Sequence, residues 1–239
     1  YTNEGGTAKV KGGIEAATTA DIELTAGQHK FGVLTGTGVR GQYEDGAIKS
    51  ASMNLNANYE YGGAPFTSPL KANVTGSVAY DEAKGISGAA QATLSADAPM
   101  TIGQSTITLK SGSSAGATVE DTKLKAIEGT LNFTGTIPFV QGQTIEIAGT
   151  IAGKYENADG GAKIEGNVDA KLTREITLNQ GQHQFVVLPD TGVTGQYKDG
   201  GIKEAGFNLK SRYTYSGAPF SSPLNASVEG NVNYKEGEG

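Results

Sequence analysis

Ile48-Lys49-Ser50-Ala51-Ser52-Met53-Asn54-Leu55-Asn56-Ala57-Asn58-Tyr59-Glu60-Tyr61 alternates for its whole length. Ala51, Met53, Leu55, Ala57, Tyr59 and Tyr61 fall on one side. Ser50, Ser52, Asn54, Asn56, Asn58 and Glu60 fall on the other. A period of two marks a half-buried β-strand. At ~3.3 Å per residue this strand spans on the order of 45 Å, well beyond the usual five or six residues. Glu44-Asp45-Gly46 before it reads as a hairpin turn, because Asp-Gly tolerates the positive φ that a tight, right-twisted hairpin demands. Gly62-Gly63-Ala64-Pro65 and Pro69 end it, since proline cannot donate to a ladder.

The surroundings repeat. Gly27-Gln28-His29-Lys30-Phe31 returns as Gly181-Gln182-His183-Gln184-Phe185, and Gly63-Ala64-Pro65-Phe66 returns as Gly217-Ala218-Pro219-Phe220. One ungapped shift carries Tyr1–Gly85 onto Tyr155–Gly239, and from Gly27 to Gly85 about 60% of positions are identical, a true internal repeat. A diverged middle copy keeps Gly103-Gln104, Glu120-Asp121 and the alternation Leu131, Phe133, Gly135, Ile137. The reading is all-β. Three tandem antiparallel modules with long strands occupy residues 1–79, 80–154 and 155–239, arranged sandwich-like or as broad stacked sheets. Further alternating strands run through Ala8, Val10, Gly12, Ile14 and Ala16, and through Leu70, Ala72, Val74, Gly76, Val78 and Tyr80. Polar junctions recur at Tyr1–Gly6, Tyr80–Gly85, Tyr155–Gly160 and Tyr234–Gly239. That phase suits a piece of a longer array or a head-to-tail subunit.

The totals exclude several classes. With no Cys there is no disulfide, thiolate metal site or thiol nucleophile. A net charge of -6 without a basic stripe argues against nucleic acid as a partner. No run approaches the ~20 apolar residues of a membrane helix, so membrane insertion is not expected. Leu, Ile, Val and Phe make up only about a fifth of the chain, a thin core that needs neighbours to cover its apolar faces.

Nothing announces a reaction, and no enzyme activity, cofactor or metal is expected. Gly112-Ser113-Ser114-Ala115-Gly116 has the form of a nucleophile elbow but lacks the following helix. Asp45, Asp121 and Asp199 recur without the spacing of a calcium cage, and turn chemistry accounts for them. His29 and His183 stand without a neighbouring ligand set. Two groups of candidate contacts remain. The first, for assembly, is Tyr1, Glu4, Tyr59, Tyr61, Tyr80, Tyr155, Tyr213, Tyr215, Tyr234 and Glu236. The second, a polar binding face present in modules one and three only, is His29, Lys49 and Asn54 with their copies His183, Lys203 and Asn208.

Tandem β-modules, a Gly-, Asn- and Thr-rich acidic composition, the missing Cys and the matched ends resemble microbial extracellular self-assembling proteins: sheath, fibre and surface-layer subunits and repetitive adhesin stalks. The resemblance is one of type and carries no site residues. It implies an extracellular or cell-surface structural protein whose partner is itself, joined through sheet edges and apolar sheet faces. The alternative is the glycan- or surface-binding repeat region of an adhesin.

Overall fold

The computed structural model describes residues 2–4, 7–158 and 161–237. The chain is nearly all β, with one 3-10 turn among the described residues, at Val140–Gly142, and every ladder named below is antiparallel. The strands are β1 (Thr2–Glu4), β2 (Thr7–Lys9), β3 (Lys11–Ala17), β4 (Ile22–Ala26), β5 (His29–Val33), β6 (Gly38–Glu44), β7 (Ala47–Tyr61) and β8 (Leu70–Asp81). The middle repeat supplies β9 (Gly85–Leu94), β10 (Ala98–Ile102), β11 (Ser105–Leu109), β12 (Ser114–Glu120), β13 (Lys123–Pro138) and β14 (Thr144–Ala158). The last supplies β15 (Gly161–Leu172), β16 (Ile176–Gln180), β17 (His183–Val187), β18 (Gly192–Lys198), β19 (Gly201–Tyr215) and β20 (Leu224–Lys235).

Two compact units divide these strands. The first is residues 1–98, 111–129 and 155–162; the second is residues 99–110, 130–154 and 163–239. In the first, the long β7 is central. On one side it pairs with β8, which pairs with β9 and then β12. On its other side two short strands lie end to end. β6 covers Ala47–Asn54 and β5 covers Ala57–Tyr61. Beyond them β3 pairs with β6, and β4 with β5. The second unit repeats the plan around β19, with β20 on one side, β18 and β17 end to end on the other, and β15 and β16 beyond.

Local chemistry fixes the turns. Asp45 and Gly46 (φ 51 and 88), like Asp199 and Gly200 (φ 46 and 91), are both left-handed, as a type I′ hairpin requires. Asp45 Oδ1 also accepts the Val10 amide (3.0 Å), and Asp199 Oδ1 accepts that of Ile164 (3.0 Å). Gly27, Gly103 and Gly181 (φ 60 to 63) open the Gly-Gln hairpins, which explains why all three repeats keep that dipeptide.

The interruption between paired short strands has its own chemistry. In repeat one Thr18 N–H donates to Thr37 O and Gly36 N–H to Thr18 O, so the ladder continues across the break. Leu94 with Ser113 and Gly112, and Leu172 with Thr191 and Asp190, make the same pair of bonds. A hydroxyl residue, Thr37, Ser113 or Thr191, occupies the same place each time. Thr37 Oγ1 accepts from Asn56 N–H and donates to Asn56 O (both 2.9 Å), and Thr191 Oγ1 does so with Lys210 (3.0 and 3.1 Å). The hydroxyl supplies the partner that the broken neighbour strand cannot. Asp21 Oδ1 accepts the Thr35 amide (2.7 Å), and Asp97 Oδ1 the Ser111 amide (2.9 Å). Repeat three has Pro189 there, with no N–H to satisfy, and Glu175 stands where the others have Asp.

Each unit is one layer. Among the described residues the buried apolar ones are few and mostly small (Ala57, Ala72, Ala98, Ile176 and Val186), and no second sheet covers either face within a unit. The expected sandwich is therefore not formed within either unit, while the broad antiparallel sheet is.

Candidate functional site

Register sorts the side chains, because directly opposed residues of an antiparallel pair share a face. Met53 lies opposite Val39 and Val78, and Ala51 opposite Gly41 and Tyr80. Tyr59 lies opposite Phe31 and Ala72, and Tyr61 opposite His29 and Leu70. From β8 the same face passes to Ile86, Gly88, Ala90, Ala92 and Leu94 on β9. In the second unit Phe207 lies between Val193 and Val232, and Tyr213 between Phe185 and Ala226. Along these ladders of repeats one and three, this face carries no Asp, Glu, Lys or Arg among the described residues. Its large side chains are open to solvent: Val232 is 71% exposed, Ile14 69% and Leu24 58%. Each unit thus leaves large apolar side chains exposed on one face of its sheet.

The opposite face holds the charges, as cross-strand pairs. Lys11 meets Glu44 (2.9 Å), Arg40 meets Glu15 (2.9 Å) and Lys198 meets Glu165 (2.6 Å). The hydrogen bonds that Lys11 and Lys198 donate to Glu44 and Glu165 raise their pKa values above the ordinary lysine value. Lys171 beside Asp190 lowers that carboxyl, and the Thr35 amide and hydroxyl lower Asp21. Asn56, Thr75, Ser77, Gln91, Thr118 and Glu128 line a shallow hollow in the first unit.

The expected residues divide between these environments. Tyr59, Tyr61 and Tyr80, like Tyr213, Tyr215 and Tyr234, lie on the apolar face. Tyr155 is half-buried near the end of β14, and Glu236 pairs with Lys203. Tyr1 lies outside the described residues, as does the side chain of Glu4. The polar binding face does not come together. His29 shares the apolar face with Tyr61, whereas Asn54, seven residues from Tyr61 on an unbroken stretch of β7, points the other way. Asn54 donates to the Gly36 carbonyl (2.8 Å), and Lys49 pairs with Glu82 (2.5 Å). Repeat three separates His183, Asn208 and Lys203 in the same manner: Asn208 donates to the Asp190 carbonyl (2.6 Å) and Lys203 holds Glu236. Both triads are thus partnered singly within the fold.

His29 instead seeds an aromatic cluster. A 2.7 Å hydrogen bond joins its Nδ1 to the Tyr59 hydroxyl, its ring lies 4.9 Å from that of Tyr61, and Phe66 meets Tyr61 edge-on. The Tyr61 hydroxyl donates to Ala64 O (3.1 Å), fixing the loop that carries the cis Ala64–Pro65 bond. A Cβ on Gly63 would stand 2.0 Å from Gln28 Oε1 and 2.3 Å from the Tyr61 hydroxyl, so the loop closes over these groups only with glycine there. His183, Tyr213, Tyr215 and Phe220 reproduce the arrangement, with 2.6 Å for the hydrogen bond and 4.9 Å between the His183 and Tyr215 rings. These contacts lock a loop against a strand end.

Sequence reasoning missed the bridging hydroxyls. Their signal was a Thr or Ser three residues after Leu34, Lys110 and Leu188 in every repeat. Among the described residues no group of His, Asp and Glu is placed to hold a metal ion, and no helix is long and apolar enough to cross a membrane. Comparison with family models, with curated proteins and with solved structures finds no match for this chain.

Proposed function

We propose that this chain is a structural subunit that assembles with further copies of itself through the apolar face of its sheet, forming a fibre, sheath or surface layer outside the cell. The observation that carries the reading is the charge-free apolar face on the single-layer sheet of repeat one and, separately, on that of repeat three. Covering apolar surface contributes about 25 cal/mol per Å², so leaving such a face in water is costly and a matching face is a strong partner. Obligate interfaces bury about 2,000 to 5,000 Å² in total and are more hydrophobic than transient ones. Edge pairing contributes less than the sequence alone suggested. β1 and β2 pair with each other as a separate two-stranded sheet. A β20 set against β3 of another copy in the register of β8 on β9 would also place Glu229 opposite Glu15, which is unfavourable.

One observation favours the adhesin alternative: the two matching His-Tyr-Tyr-Phe clusters present aromatic rings that suit sugar stacking. Their loop-locking contacts make packing the stronger account.

The test is sedimentation over a concentration series with negative-stain electron microscopy of the concentrated samples. Wild type should associate into regular assemblies. Val232→Lys, on the apolar face, should remain monomeric, and Asn231→Lys, its neighbour on the polar face, should behave as wild type. A folded wild type that stays monomeric at high concentration overturns the proposal.

A further inference from the structure

Taking the assembly reading as its premise, we infer that chains also join edge to edge, β20 of one chain against β3 of the next, in the register that β8 and β9 use within each chain. There the last strand of repeat one pairs with the first strand of repeat two, with Gly76 opposite Ala90, Val78 opposite Gly88 and Tyr80 opposite Ile86. β20 is the repeat-three counterpart of β8. β3 is the counterpart of β9, since Gly12 lies opposite Tyr43 as Gly88 lies opposite Val119. All twelve residues of β20 and all seven of β3 are exposed. β1 pairs with β2 no further than Lys9, short of the whole of β3.

The glycines record what is missing. A Cβ on Gly88 would stand 2.7 Å from the Ser77 carbonyl oxygen and 3.3 Å from a Val78 methyl carbon. One on Gly166, in the same place of repeat three, would stand 3.3 Å from Ala152 O on β14. In both, the last strand of the preceding repeat presses on the glycine. The same Cβ on Gly12 meets nothing within 4 Å. On the other strand, Gly76 would meet Ala89 O at 3.3 Å, while its counterpart Gly230 meets nothing. β20 and β3 are thus two halves of one ladder, and of the three last strands β20 is the one with its whole length exposed. Setting it on β3 brings Val232 (71% exposed) over Gly12 and Ile14 (69% exposed) over Gly230. Large meets small in both directions, on the apolar face, so the charge-free surface continues across the joint. The occupant of the β3 edge is therefore β20 of a second chain.

The Glu229–Glu15 opposition keeps this joint weaker than the face contact, but each carboxylate has a cation on its far side. Arg40 holds Glu15 (2.9 Å), and Lys210 lies opposite Glu229. The contact joins two different surfaces, so it repeats head to tail and gives the assembly a direction.

Gly12→Val is the direct test, because the free chain has room for the side chain and the joint does not. Its circular dichroism should match wild type, and its association should weaken by about tenfold or more. Glu229→Gln, which removes the like-charge opposition, should strengthen association about twofold to threefold. The natural chain has no cysteine, so cross-linking reads the register. Ala17→Cys and Ser227→Cys would lie opposite each other as Thr93 and Asn73 do. Mixed and mildly oxidised, they should give about tenfold more disulfide dimer than Ala17→Cys mixed with Glu229→Cys, because opposed Cβ atoms lie about 5 Å apart and diagonal ones about 7 to 8 Å. If wild type assembles, Gly12→Val assembles equally well and the mixed cross-link fails, the joint is wrong and the face contact stands. If wild type is monomeric, both fail. A double Ala17→Cys, Ser227→Cys variant that closes its disulfide within a single chain also overturns the joint, because β20 then covers its own β3.

Discussion

Replacing Thr37 with Val removes one oxygen and almost no volume, so it isolates the bridging hydroxyl at the strand interruption. Thr37 Oγ1 accepts from Asn56 N–H and donates to Asn56 O. The Asn56 carbonyl keeps a second donor, the Leu34 amide at 2.8 Å, whereas its N–H loses its partner. A typical hydrogen bond contributes about 1 kcal/mol net, and an orphaned buried donor costs about 1 to 3 kcal/mol. The site is half-buried, so the lower part of that range applies, and Thr37→Val should cost about 1.5 kcal/mol. Thr37→Ser, which reproduces what repeat two carries at Ser113, should cost less than half of that. Urea unfolding gives the global figure, and amide exchange gives the local one: Asn56 protection should fall roughly tenfold if the opening is local. Thr191→Val should act alike at Lys210, and the double variant should be close to additive because the sites share no partner. A Thr37→Val protein within 0.5 kcal/mol of wild type, with Asn56 equally protected, would refute the idea that the hydroxyl stands in for the missing strand.

Three further outcomes follow from the backbone and the charges. Thr122 holds φ 62 in the turn where the other repeats have glycine, so Thr122→Gly should stabilise by about 1 kcal/mol in urea unfolding; a loss of stability would contradict this. A Cβ on Gly192 would stand 2.4 Å from the Ala170 carbonyl oxygen, and backbone cannot yield as a side-chain tip can, so Gly192→Ala should cost about 1 to 3 kcal/mol or more. Asp21 and Asp190 titrate below their ordinary range when folded. Their contribution is present above the unfolded value and is lost as pH falls through the lowered one. Lys11, Lys49 and Lys198 titrate above theirs, so that contribution is lost as pH rises through the raised value. Urea midpoints should be flat from about pH 5 to pH 9 and decline on both sides, and Asp21→Asn should blunt the acid limb. A midpoint that rises below pH 4 would contradict the assignment.

Much of the strand pattern was legible in the sequence. Alternation from Ala51 to Tyr61 placed the apolar face correctly, and Asp45-Gly46 marked a hairpin that the backbone confirms in its φ angles; Gly27-Gln28 was legible only as a repeated motif. Two things were not legible. Alternation says which side chains share a face, but the covering layer is a long-range matter that a period of two does not encode, so a sandwich and a broad sheet both stayed open until each unit showed one layer. His29 was assigned to the polar side because histidine is polar, although it alternates with Phe31 and Val33; the ladder to Tyr61 shows that spacing outweighs residue type. The role of the interruptions was hidden as well. Their Thr, Ser and Asp side chains look like ordinary loop residues until the neighbouring long strand shows what they satisfy.

The central claim is that a second copy covers the apolar face. Hydroxyl-radical footprinting of dilute and concentrated protein tests it residue by residue. The account predicts that Ile14, Leu24, Phe207 and Val232 become protected as concentration rises, while Arg40 and Lys198 on the charged face keep their reactivity. Protection confined to the charged face, or none at any concentration, would contradict it.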